Sequence, residues 1–193
     1  MKFILASKNI HKAKEMQSIL GESITLITQD EAGYTGIDVV EDGLTFEENA
    51  IKKAVTLANA SGQACIADDS GLCVDALGGK PGVFTARFAG EGATDDENIS
   101  KLLADLDSVS PKMRTARFVC VIALAVPGKE PVTYRGECEG VILNQKQGSN
   151  GFGYDPIFYL PEYGASMAEV SPEVKNSVSH RFNALKKLKA DIA

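Results

Sequence analysis

The stretch "IADDSGLCV", residues 66–74, places two adjacent aspartates, a serine and a glycine at the end of an apolar run. Ala64-Cys65-Ile66-Ala67 is short and apolar, and it follows the stop signal Ser61-Gly62, so it reads as a buried strand. Asp68 and Asp69 then stand at the exit of that strand. Charge beside a dry interior is costly unless something offsets it, and strand exits are the ligand-facing ends of open α/β sheets. The stretch predicts a strand-borne acidic site.

Upstream, Thr45-Phe46-Glu47-Glu48 is a capping box, and Phe46, Ala50, Ala54, Leu57 and Ala58 form one apolar helical face behind it. Lys2 to Ala6 reads as a first strand, His11 to Leu20 as a helix and Ile24 to Thr28 as a second strand. Residues 29–44 are acidic and aperiodic, a loop. Downstream, residues 78–93 form a shaped loop rich in glycine, and Thr94-Asp95-Asp96-Glu97 is a second capping box opening a helix. Arg114 to Val126 and Val132 to Leu143 are β-rich runs joined by a Pro-Gly turn, which predicts a hairpin. A second glycine loop spans 148–156, a short strand follows at 157–160, and a helix from Ser179 to Asp191 ends the chain. Alternating strands and helices followed by a hairpin predict a mixed α/β sheet.

The formal charge of -6 over 193 residues argues against general nucleic-acid binding, which needs a basic face. Phe3 to Ala6 is too short for a signal core, and no apolar run reaches membrane-spanning length, so a cytoplasmic protein with no membrane partner is expected. Four cysteines without a C-x-x-C pair read as small apolar residues, Cys65, Cys73 and Cys120 most clearly. His11 and His180 are the only histidines, too few for a histidine-rich metal centre. Neither glycine loop fits a phosphate-binding fingerprint: Gly79-Lys80 runs into Pro81, and Gly151-Phe152-Gly153 breaks off at Pro156. No nucleophile elbow surrounds Ser70.

What remains is charge at element ends. Ser7-Lys8-Asn9 and Lys12 lie between the first strand and first helix, where backbone N–H groups and lysines favour an anion. Asp68, Asp69 and Glu41-Asp42 supply carboxylates of the kind that hold Mg²⁺ while it keeps waters for phosphate oxygens to displace. Both signs together predict a Mg²⁺-bound phosphate substrate.

Six blocks, "LASKNIHKAKE" (5–15), "EDGLTFEENAIKKA" (41–54), "IADDSGL" (66–72), "LGGKPGVFTARFAG" (77–90), "GFGYDPIF" (151–158) and "SHRFNAL" (179–185), occur in the order of a known family. With them the whole chain resembles the inosine triphosphate pyrophosphatase (Ham1-like) family of noncanonical purine nucleotide hydrolases. Thr85 and Asn150 depart mildly from its pattern, where serine and glycine are common. The resemblance implies one domain over residues 1–193 with two lobes, an elongated mixed sheet flanked by helices and an active-site cleft between the lobes. It also implies a homodimer and Mg²⁺-dependent hydrolysis of ITP, dITP and XTP to the monophosphate and pyrophosphate, which cleanses the nucleotide pool. Carried over by position, Ser7, Lys8, Asn9, Ile10, His11 and Lys12 would hold phosphates and Ser70 would contact substrate. Glu41 and Asp69 would bind the metal, Asp69 would accept the proton, and Asp68 would support it. Phe152, Gly153, Tyr154 and Asp155 would form the base pocket, joined by Lys175, His180 and Arg181.

On that reading Lys8, Lys12 and Lys175 offset charge on the leaving pyrophosphate. Donors from His180, Arg181 or backbone N–H groups would favour a 6-keto purine over adenine, and Phe152 or Tyr154 could stack on the ring. Phe158 reads as core. Two alternatives stay open at this level: a Maf-like pyrophosphatase for modified pyrimidine triphosphates, and a nucleotide-binding module without catalysis.

Overall fold

The structure, a computed structural model, describes residues 1–192. Its elements run β1 (Lys2–Leu5), α1 (Ile10–Leu20), β2 (Thr25–Thr28), α2 (Phe46–Ser61), β3 (Cys65–Val74) and α3 (Asp95–Asp105), then β4 (Thr115–Ala125), β5 (Val132–Ile142), β6 (Phe158–Leu160), β7 (Ala165–Ser166), α4 (Pro172–Val178) and α5 (His180–Ile192). The strands form one mixed sheet in the order β2-β1-β3-β4-β5-β6-β7. β1 pairs in parallel with β2 and with β3, where Leu5 lies opposite Ile66, whereas β6 is antiparallel to both β5 and β7.

Two compact units divide the chain. The first comprises Met1–Asp69, Cys120–Gly136 and the chain from Arg181 onward; the second comprises Ser70–Val119 and Glu137–His180. Each has its own core. In the first, Leu5 and Ile66 of the sheet pack with Met16 and Leu20 of α1 and Leu185 and Leu188 of α5. In the second, Leu72, Phe118, Ile142 and Phe158 pack with Ile99 and Leu102 of α3, and Phe158 is a core residue as its sequence context predicts.

Both capping boxes form as predicted. The Thr45 hydroxyl accepts from the Glu48 N–H at 3.1 Å, while the Glu48 carboxylate accepts from the Thr45 N–H at 3.2 Å. The Thr94–Glu97 pair repeats the geometry at α3. These ends are fixed by side chains three residues apart, and so are written in the local sequence.

Several expectations change. The aspartates do not lie beyond a strand: β3 continues through them to Val74, and Asp68 and Asp69 sit mid-strand and buried. A central strand covered on both faces tolerates charge only where neighbouring elements bring partners to it. The 78–93 loop contains a 3₁₀ segment at Gly82–Arg87, and α4 and β7 are elements that the sequence pattern does not announce. Cys138 is buried like Cys65 and Cys120, whereas Cys73, in apolar sequence company, is only half-buried. Among the described residues, no helix is long and apolar enough to cross a membrane.

Candidate active site

In the first unit, α1, α2 and α5 each direct a cation at the aspartates of β3. Lys12 of α1 reaches Asp68 at 2.9 Å, and Arg181, from the first turn of α5, reaches it at 3.3 Å. Arg181 also pairs with Glu15 of α1 at 3.1 Å, and its side chain is 1% exposed. Lys53 of α2 bridges two acids, Glu41 at 3.0 Å and Asp69 at 3.2 Å. Asn49, one turn before Lys53, donates to Asp69 at 3.3 Å and accepts the Gly43 N–H at 2.8 Å, which ties down the segment carrying Glu41.

The two neighbouring aspartates respond oppositely. Burial works against charge on Asp68, yet Lys12, then Arg181 and Lys53 outweigh it and hold the carboxyl far below the ordinary carboxylate range. Asp69 is pushed up to about 6, first by burial and then by its hydrogen bond and repulsion with Glu41, despite Lys53. Against its own burial, Lys53 first and the Asp69 bond next bring Glu41 below its ordinary value. Asp68 is a fixed charge. Asp69 is a carboxyl poised to exchange a proton near neutral pH.

The segment Ser7–Lys12 is more occupied than a bare helix start. Asn9 caps α1 by accepting from the His11 and Lys12 N–H groups at 3.0 and 3.1 Å, and Ser7 accepts the Asn9 N–H. Those amides are therefore not the free donors that the sequence predicts. Lys8 is exposed and pairs with Asp38, and Ile10 and His11 are exposed beside it. Lys12 alone of this segment enters the buried array.

In the second unit, Asp155 organises the 151–155 loop. Its carboxylate accepts from the Phe152 N–H at 3.0 Å and from the Lys175 ammonium at 2.6 Å. Gly151 lets the loop close against that carboxylate: it sits at φ +78°, and a Cβ there would collide with Asp155. The Lys175 ammonium also lies 4.6 Å from the centre of the Phe152 ring, a cation–π contact. The Tyr154 hydroxyl donates to the Thr85 carbonyl at 2.9 Å, and burial first pushes its ionisation above the ordinary tyrosine range. His180 stacks on Phe118 at 4.9 Å between ring centres. Ser70, next along β3, is half-buried.

Of the residues singled out from the sequence, Lys12, Glu41, Asp68, Asp69 and Arg181 meet in the first unit. Phe152, Gly153, Tyr154, Asp155 and Lys175 meet in the second. The charge of Lys175 is matched by Asp155 and that of Arg181 by two carboxylates, so neither is a loose cation. Sequence reading missed Lys53, Asn49 and Glu15. The signal was present for two of them: Asn49 and Lys53 fall on the apolar stripe of α2 with Phe46, Ala50 and Leu57, where a polar side chain needs a buried partner.

The family model described as the Ham1 family matches residues 3–191. The chain belongs to the Ham1 family. A Ham1-family relative from Shouchella clausii, named dITP/XTP pyrophosphatase, is 51% identical over 98% of this chain and 95% of its own. One of the same name from Desulforamulus reducens is 52% identical over 97% of this chain and 93% of its own. Among solved structures, a HAM1 protein from Coxiella burnetii superimposes with a TM-score of 0.90 at 44% identity, covering 100% of this chain and 98% of that one. The Ham1 protein of Staphylococcus aureus gives 0.89 at 43%, with the same coverage. The mixed sheet flanked by helices is thus the sheet of this family.

A divalent cation fits the first-unit array. Three cations, Lys12, Lys53 and Arg181, face four carboxyls, Glu15, Glu41, Asp68 and Asp69. Glu41 and Asp69 share one cation, Lys53, between two carboxyls. Two oxygen ligands suffice for Mg²⁺, which keeps its remaining positions for water and phosphate oxygens. Among the described residues, no group of three or more His, Cys, Asp or Glu side chains is placed to enclose a metal by protein ligands alone.

Proposed function

We propose that this chain hydrolyses noncanonical purine nucleoside triphosphates, ITP, dITP and XTP, to the monophosphate and pyrophosphate. The observation that carries the reading is Lys53 bridging Glu41 and Asp69, on a strand whose neighbouring aspartate holds Lys12. The names of the half-identical relatives, dITP/XTP pyrophosphatase, point to two of these substrates.

Glu41 and Asp69 would hold Mg²⁺, which would neutralise phosphate charge and lower the pKa of a nearby water. Asp69 would take the proton of the attacking water. Lys53, in contact with both carboxyls, limits the rise in Asp69. Lys12, braced by Asp68, would meet the phosphates.

In the second unit, Phe152 would stack on the purine, its ring steadied by Lys175. His180 and backbone N–H groups would serve the 6-keto oxygen. Arg181, held by Glu15 and Asp68, would act instead by bracing Asp68. A donor facing the amine of adenine would be mispaired at a cost of about 1–3 kcal/mol. A homodimer in the cytoplasm is proposed from the family resemblance, and light scattering in solution tests the dimer.

The deciding experiment measures pyrophosphate release from ITP, XTP, dITP, GTP, ATP and modified pyrimidine triphosphates, with Mg²⁺ and with chelator. Release from ITP, dITP and XTP far above the others, lost with chelator, is expected. Preference for the pyrimidines, or binding of ITP without release, would overturn the reading.

A further inference from the structure

The first turn of α3 holds both glycine loops of the second unit. Asn98 accepts the Ala89 N–H at 2.8 Å and donates to the Ala86 carbonyl at 3.1 Å, fixing the 82–90 segment. Asp96 pairs with Lys146 at 2.6 Å, just before the 148–156 loop. Asp95 reaches into that loop: its carboxylate accepts the Gly153 N–H at 2.7 Å. The helix start does not need Asp95 for this bond, because Thr94 and Glu97 already complete the capping box.

Gly153 lies between Phe152 and Tyr154, and the loop is pinned on both sides of it. Asp155 holds the Phe152 N–H and Lys175, while Tyr154 is anchored to Thr85, a residue of the segment that Asn98 fixes. The Gly153 peptide is the part of the loop held from α3 itself. Gly153 takes φ +60°, a conformation other residues rarely adopt, so its peptide can turn if released.

We propose that Asp95 is a positioning residue for base recognition: by holding the Gly153 N–H it sets the pose of the Phe152 ring and of the Asp155–Lys175 pair. This rests on the reading of the 152–155 loop as the base pocket. An ionised acceptor makes a shorter, stronger hydrogen bond than a neutral one. The alternative is a plain first-turn acid that helps α3 and nothing else.

The two differ in what they change. Asp95→Ala and Asp95→Asn are compared with the parent for kcat and KM on ITP and ATP, for Tm, and for exchange of the Gly153 amide by NMR. Asp95→Ala is expected to raise KM for ITP and lower the ITP-to-ATP ratio of kcat/KM, each by about tenfold, the loss of one charge-assisted hydrogen bond. Gly153 amide exchange should speed up as well. Asp95→Asn keeps an acceptor oxygen and should recover most of the ratio, whereas Asp105→Ala, which removes only the Lys101 pair at the other end of the same helix, should leave the ratio and the Gly153 exchange unchanged. A lower Tm with an unaltered ratio and unaltered exchange in Asp95→Ala would overturn the proposal and leave the acid a helix-start residue. Phe152→Ala separates the two layers. If it lowers the ratio while Asp95→Ala does not, the positioning role alone fails; if neither lowers it, the base-pocket reading fails with it.

Discussion

The two units handle charge in contrasting ways. In the first, seven ionised or ionisable groups converge and none is matched one-to-one, since Asp68 takes two cations and Lys53 two carboxyls. In the second, the buried Asp155–Lys175 pair is braced by an aromatic ring and a backbone amide. On the proposed function the first would stabilise moving charge, because low-dielectric surroundings make each cation felt strongly. The second shapes a surface. The contrast teaches that burial alone does not set a carboxyl's role: Asp68 and Asp69 are neighbours on one strand, both buried, yet their pKa values move in opposite directions.

That contrast can be broken by substitution. The largest effect is expected from Asp69→Asn, which should reduce kcat on ITP by about 10²–10⁴-fold, the usual worth of a general base. Its far-UV circular dichroism should match the parent; turnover near the parent's would remove Asp69 from catalysis. Arg181→Met comes next, and on stability rather than rate. It leaves Glu15 and Asp68 buried without their shared cation, and breaking such a pair costs about 3–5 kcal/mol, to be read as a fall in the denaturation midpoint. A midpoint within error of the parent would show that the guanidinium does not brace Asp68.

Lys53→Met sharpens the first-unit side. Without its positive charge, Asp69 should hold its proton to higher pH, so the acid limb of the pH–rate profile should move upward while kcat falls. An unmoved limb would separate Lys53 from Asp69. On the second-unit side, Phe152→Ala should act mainly through KM and base choice, by about tenfold given roughly 1–3 kcal/mol per stacked base. A loss confined to kcat would reverse the division of labour.

The smallest effect concerns acid stability. Asp68 has its folded pKa lowered from 3.8, so its contribution is present above that value and is lost as pH falls below it. The Tm difference between the parent and Asp68→Asn should therefore shrink on going from neutral pH to below about pH 4. A difference that stays constant would mean that Asp68 stabilises by packing instead.

Much of the fold was legible because it is local. The boxes at Thr45 and Thr94 need residues three apart, and β4 and β5 are long β-rich runs around a Pro-Gly turn. α4 was not legible: seven residues with Pro172 at its start carry too short a period to read. The acidic pair, Glu41 and the Phe152–Asp155 loop stood out as residue types. Lys53 and Asn49 were hidden by the apolar helix face they interrupt, and Glu15 by its place among solvated residues of α1.

The sequence by itself determined the capped starts of α2 and α3, the central strands, the family and the set of charged residues available for chemistry. Only the tertiary structure decided that β3 runs on through its aspartates, and which cation each of them receives. The physical reason is that a buried carboxylate is tolerable only when partners arrive from elsewhere. Here they come from α1, α2 and α5, at sequence separations that no local pattern encodes.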